Sequence, residues 1–96
     1  MQEPNNISIL IVDDEAPLKK ALVFDFKRRG FNVYDAANGI EAFEIIKKNN
    51  IDVVLTDVRM PGGDGVELLN NIKNIHPETP VVMFVTGFAD LSLEDA

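Results

Sequence analysis

Cysteine is absent from this 96-residue chain, which excludes a disulfide framework, a thiolate metal site and a Cys nucleophile. The absence fits a reducing compartment. Basic charge is also scarce: Asp and Glu outnumber Lys and Arg by 16 to 9, for a net charge of −7. Such a surface repels phosphate backbones and anionic headgroups, so direct nucleic-acid or membrane binding by the domain is not expected. Long apolar runs are missing too, and no stretch nears the roughly 18 residues that a spanning helix needs. The start, Met1-Gln-Glu-Pro-Asn-Asn6, has neither the basic region nor the apolar core of an export signal. The expectation is a cytoplasmic protein in which residues 1–6 are disordered and 7–96 form one domain, because this length supports a single core. Histidine occurs once, as His76 before Pro77, in a helix-end position rather than that of a ligand or a base.

Against these absences, 46% of the residues are hydrophobic and 26% charged, the balance of a soluble globular fold. Apolar strand patterns alternate with helical ones, which predicts βα units on a parallel sheet. Strands are expected at 8–12, 32–36, 52–56 and 81–85, and helices at 16–29, 40–48 and 65–75. Pro17 suits a first helical turn, Gly30 a left-handed C-cap, and Asn38-Gly39 a turn into the second helix. Leu18, Ala21, Leu22 and Phe26 fall on one face of the first helix; Val23-Phe24 falls outside that stripe and is expected to face solvent. In the later helices Ala42, Phe43, Ile45 and Ile46, then Leu68, Leu69 and Ile72, supply the buried sides.

Strands 1, 3 and 4 are nearly continuous apolar runs, as parallel strands covered on both faces are. Right-handed crossovers then predict a flavodoxin-like doubly wound sheet of order 2-1-3-4. No fifth strand is visible in the 96 residues, so strand 4 is expected to present an apolar unpaired edge. Such edges template pairing with another chain, and either a C-terminally incomplete domain or a homodimer through the strand 4 edge is expected.

Three carboxylates carry the chemistry. Asp13 and Asp14 close the run Ile7-Ser-Ile-Leu-Ile-Val12, and Asp57 closes Val53-Val-Leu-Thr56. The carboxyl ends of neighbouring parallel strands open into one crevice, so the three acids should meet there. Unit charges ~4 Å apart repel by about 4 kcal/mol at an effective dielectric near 20. A hard divalent cation, Mg²⁺ or Mn²⁺, would compensate them; the plainer alternative is that each acid caps the turn after its strand.

The same residues identify a family resemblance. Ile-Val-Asp13-Asp14-Glu15, Asn38-Gly39-Ile-Glu-Ala-Phe43, Thr-Asp57-Val-Arg-Met60-Pro61-Gly-Gly-Asp64-Gly65 and Val-Thr86-Gly87 occur in order, and over residues 7–96 the chain resembles the receiver (phosphoacceptor) domain of two-component response regulators. The resemblance implies that Asp57 is the phosphoacceptor, a carboxylate nucleophile. It implies that Asp13, Asp14 and Asp57 hold the metal together with the backbone carbonyl of Arg59. Thr86 corresponds to the switch hydroxyl that bonds a phosphoryl oxygen, and Gly87 to the loop that lets the phosphate approach. The implied partner is a sensor histidine kinase, and the domain assists its own phosphorylation and dephosphorylation rather than turning over as an ordinary enzyme.

Receivers complete the site with a Lys on a fifth strand, a position beyond Ala96, so phosphate is expected to be held poorly by these 96 residues. Two other functions compete. A Mg²⁺-dependent aspartyl-phosphate phosphatase or phosphotransferase of the haloacid dehalogenase kind wants Asp-x-Asp after strand 1, whereas Asp13 and Asp14 are adjacent. A degenerate receiver would serve only as a protein-binding module, and phosphorylation at Asp57 separates it from an active one.

Overall fold

The structure, a computed structural model, describes residues 7–57, 65–75 and 80–85. Strands β1 (Ser8–Val12), β2 (Asn32–Ala36), β3 (Val53–Asp57) and β4 (Val81–Val85) alternate with helices α1 (Ala16–Arg28), α2 (Gly39–Lys48) and α3 (Gly65–Ile75). All pairings are parallel, and the sheet order is β2-β1-β3-β4, as the alternating pattern implied. Among the described residues no helix is long and apolar enough to cross a membrane.

Local signals place the helix ends. Gly30 adopts φ 99°, a left-handed conformation open to a residue without Cβ. Its N–H bonds to the Lys27 carbonyl at 3.0 Å and the Phe31 N–H to the Phe26 carbonyl at 3.2 Å, the paired bonds of a Schellman stop. The rings of Phe26 and Phe31 meet edge to face with centroids 5.7 Å apart, adding the apolar contact that seals such a cap. At the start of α2 the Asn38 side chain accepts from the Glu41 N–H at 2.8 Å, and Glu41 Oε1 accepts from the Ala37 N–H at 2.6 Å. This reciprocal pair satisfies donors that the first turn would otherwise orphan.

Strand alternation sorts the core onto two sides. Leu10, Val12, Ala36 and Val54 pack with Ala42 and Ile46 of α2 and with Leu68 and Ile72 of α3 in one buried cluster. The opposite parity carries Ile9 and Ile11 beside Val53, Leu55, Val81 and Met83, on the side where α1 lies. Cover there fades across the sheet. Ile9 and Ile11 are buried, Val53 and Leu55 half-buried, and Val81 and Met83 are 55% and 53% exposed.

Three expectations need correction. Ala21 is exposed, and no residue of α1 is fully buried, because α1 packs over β1 and β2 at one end of the sheet and its far flank has no described neighbour. Val23, expected in solvent, is half-buried, while Phe24 is 69% exposed. β3 begins one residue later than the apolar run suggested and ends on Asp57, because Val85 of β4 pairs with it. Asp52 instead clips the sheet's lower end: its side chain accepts from the Ser8 N–H at 2.8 Å. The stretches 1–6 and 86–96 and His76, for which disorder, a switch loop and a helix end were expected, lie outside the described residues.

α3 starts against the end of β3. A Cβ on Gly65 would collide with the Asp57 carbonyl oxygen and come within 3.0 Å of the Phe84 ring. The same carbonyl accepts from the Thr56 hydroxyl at 2.9 Å, so the β3 backbone has little freedom to retreat. Gly65→Ala is therefore expected to lower stability by about 1–3 kcal/mol, measured as a drop in urea midpoint at constant slope. An unchanged midpoint would show that the first turn of α3 is not pinned to Asp57.

Candidate metal centre at the strand ends

The register Val12↔Thr56 sets β1 and β3 level, so the residues that follow, Asp13 and Asp57, stand side by side. Beyond the last β1 pair the Asp13 N–H still bonds to the Ala36 carbonyl at 3.1 Å, which holds Asp13 in line with the sheet. Asp13 is buried, Asp14 exposed and Asp57 half-buried, and one carboxylate oxygen from each lies within 4.8 Å of the others. The three acids singled out in the sequence thus meet in one crevice.

The two oxygens of Asp13 have different surroundings. Oδ1 accepts from the Glu15 N–H at 2.8 Å, an Asx turn that leads the chain into α1. Oδ2 is buried, and no donor among the described residues reaches it. Its neighbours are carboxylates, and Asp14 can bond to Asp13 only through a shared proton. Burial pushes the Asp13 carboxyl above its ordinary range; the Glu15 N–H opposes the rise, and the charges of Asp57 and Asp14 add to it. A buried anionic oxygen without a donor carries a penalty of several kcal/mol unless it is neutralised or paired with a cation. The capping alternative therefore accounts for Oδ1 and leaves Oδ2 unexplained. An all-oxygen acidic set of this kind suits Mg²⁺ or Mn²⁺ and does not suit a soft metal.

Arg59, Thr86 and Gly87, expected at the same site, lie outside the described residues. The sequence reading passed over three supporting groups: the Glu15 N–H, the buried Thr56 hydroxyl and the missing Cβ of Gly65. Their signal is weak because each acts through the backbone, which carries no mark in residue type.

A parallel doubly wound sheet with three acids at the ends of its central strands defines a class of acidic, cation-binding α/β signalling domain. The family model of the response regulator receiver domain matches residues 9–95, and the chain belongs to that family: it is a receiver domain of two-component systems. It is 36% identical over 88 residues to sporulation initiation phosphotransferase F of Bacillus subtilis, covering 92% of this chain and 70% of that one. A response regulator receiver protein from Pseudomonas putida superposes with a TM-score of 0.79 at 28% identity, over 93% of this chain and 73% of that one. The response regulator TrrA of Thermotoga maritima superposes with TM-scores of 0.78 in complex with the histidine kinase ThkA and 0.72 in complex with Mg²⁺-BeF. Those matches have 28% and 27% identity; each covers 88% of this chain, and they cover 72% and 76% of TrrA.

The raised Asp13 pKa sets the sign of a pH effect. The native state keeps that proton to higher pH than the unfolded chain does. The stability it contributes is present in full below the ordinary value of 3.8 and is lost as pH rises through the folded value. Ionised Asp13 is then destabilising at neutral pH when no cation is present. Asp13→Asn is expected to raise the Tm of the metal-free protein at pH 7, and a relief of ~1 kcal/mol would appear as ~4–8 °C in a domain of this size. The gain should shrink below about pH 4. A variant less stable than wild type at pH 7 would overturn the assignment of strain to Asp13.

Proposed function

We propose that this receiver accepts a phosphoryl group on Asp57 from a sensor histidine kinase in the cytoplasm, with Mg²⁺ or Mn²⁺ held by Asp13, Asp14, Asp57 and the Arg59 backbone carbonyl. The observation that carries this reading is the buried, donorless Oδ2 of Asp13 facing two further carboxylates. The ThkA complex of TrrA supports the choice of partner, and its Mg²⁺-BeF complex the choice of cation.

A carboxylate oxygen of Asp57 attacks phosphorus of a phosphohistidine, the P–N bond breaks, and the electron pair leaves on the imidazole, which takes up a proton. Asp57 then carries the phosphoryl group as an acyl phosphate. The bound cation neutralises charge between the acids and the transferred group. Glu15 N–H keeps Asp13 oriented, and the bond from Thr56 to the Asp57 carbonyl holds the nucleophile's backbone in place. The product adds about −1.5 to −2 charge beside two existing acids. A switch therefore needs contacts made only with that product, and the Thr86 hydroxyl, with Gly87 allowing close approach, is the proposed source.

Incubation with a small acyl phosphate and Mg²⁺ should place a base-labile phosphate on the chain, and Asp57→Asn should abolish it. Calorimetric titration should show weak Mg²⁺ binding that is lost in Asp14→Ala. Labelling that survives in Asp57→Asn, or equal Mg²⁺ binding by both proteins, would sink the assignment.

The exposure of Val81 and Met83 on β4 supports the second expectation, pairing of two copies along this strand. Light scattering over a concentration series is expected to show a dimer that Met83→Lys weakens. A wild type that stays monomeric throughout would remove it.

A further inference from the structure

α1 has a second face that the phosphoryl chemistry does not use. The flank toward β2 forms a groove of about 390 Å³, lined by Lys19, Lys20, Val23, Phe24, Lys27 and Asp35 among others. In a chain of net charge −7, three of the lining side chains are lysines. Lys19 is paired with Asp35 at 3.4 Å. Among the described residues, Lys20 and Lys27 have no carboxylate partner. Val23 is half-buried in the floor and Phe24 is 69% exposed at the rim. Lys20, Val23 and Lys27 are spaced i, i+3 and i+7, one stripe of the helix. The surface is therefore an apolar centre with a free cation at each end.

We propose that this flank of α1 is a docking groove for an acidic amphipathic helix of a partner protein. Charge complementarity selects the sign of the partner. The separation selects its form. Seven helical residues rise ~10 Å, too far for one phosphate to touch both ammonium groups, but matched by two carboxylates two turns apart on a facing helix. Leucine-type side chains between those carboxylates would cover Val23 and Phe24, the helix-in-groove mode of recognition. Each ammonium group meeting a carboxylate at the rim contributes steering and register, and the apolar centre supplies most of the affinity. The groove lies on the side of α1 and leaves the Asp57 crevice open, so a partner bound here can stay in place during phosphoryl transfer.

The probe is a fluorescein-labelled designed helix of about four turns that carries Glu two turns apart on either side of a Leu stripe. A scrambled peptide of identical composition is the control. Fluorescence anisotropy against the 96-residue chain is expected to show at least tenfold tighter binding of the amphipathic order than of the scramble. Lys20→Glu combined with Lys27→Glu, and separately Phe24→Ser, should each weaken binding about tenfold or more while the unfolding midpoint and the labelling of Asp57 stay at wild-type values. Amide shifts in heteronuclear NMR should cluster on residues 16–27 and on β2. Equal binding of the two peptides, or affinity unchanged in the charge-reversed protein, would overturn the proposal. It would also be overturned if inorganic phosphate or vesicles of anionic phospholipid titrated the same amides and displaced the peptide, because the groove would then read an anion and not a helix.

Discussion

The lateral pairing of β1 with β3 in the register Val12↔Thr56 is the constraint on which the site rests. The strands rise ~3.3 Å per residue and alternate sides. A slip by one residue would turn Leu10, Val12 and Val54 out of the cluster they share with α2 and α3. A slip by two would keep the parity but part Asp13 from Asp57 by a further ~6.6 Å. Burial of side chains of this kind is worth roughly 1.5–3 kcal/mol each, and several move together. Repulsion between two acids at a few ångströms is about 4 kcal/mol at most in such a setting. The apolar register therefore wins, and the carboxylates are carried into contact against their own preference.

Asp13 shows how that conflict is used. One oxygen takes the Glu15 N–H and starts α1, a bond that any Asp or Asn at a strand end can make. The other oxygen is buried beside two acids without a donor. Structural need explains half of the side chain, and the remaining half makes sense for a fold that expects a cation. Whatever binds the folded state and not the unfolded chain stabilises it by mass action, so a cation at this point would relieve the strain the register creates.

Much of this was legible in the residues, for identifiable reasons. The ranges of β1, β2, β4 and α3 follow from unbroken apolar runs and from periodicity, and Gly30 and Asn38 announce helix ends by chemistry that few other residues supply. The three acids were legible because strand ends in a parallel sheet converge. Ala21 was misjudged because a stripe of apolar residues says which face of a helix turns inward, and not whether anything stands beside that face. Asp57 was read as following β3 rather than ending it, because the last ladder pair depends on Val85, which is 28 residues away. The support from Thr56 and Gly65 was invisible for a similar reason: both act on the Asp57 carbonyl, and a contact with a backbone oxygen leaves no pattern in sequence.

The charge layout of α1 adds a last step. Its N-terminal end follows Asp14 directly, whereas Lys27 lies eleven residues beyond Ala16, ~16 Å along the axis. At physiological ionic strength the Debye length is about 8 Å. A change of charge at the strand ends is therefore well screened at Lys27 and felt most in the first turns, where Lys19 is already tied to Asp35. The far end of the helix can hold a surface of fixed sign whatever the state of the acids. A receiver whose net charge grows more negative on phosphorylation would thus keep a constant basic face on one flank. That separation follows from the length of one helix and the screening of water, without any conformational change.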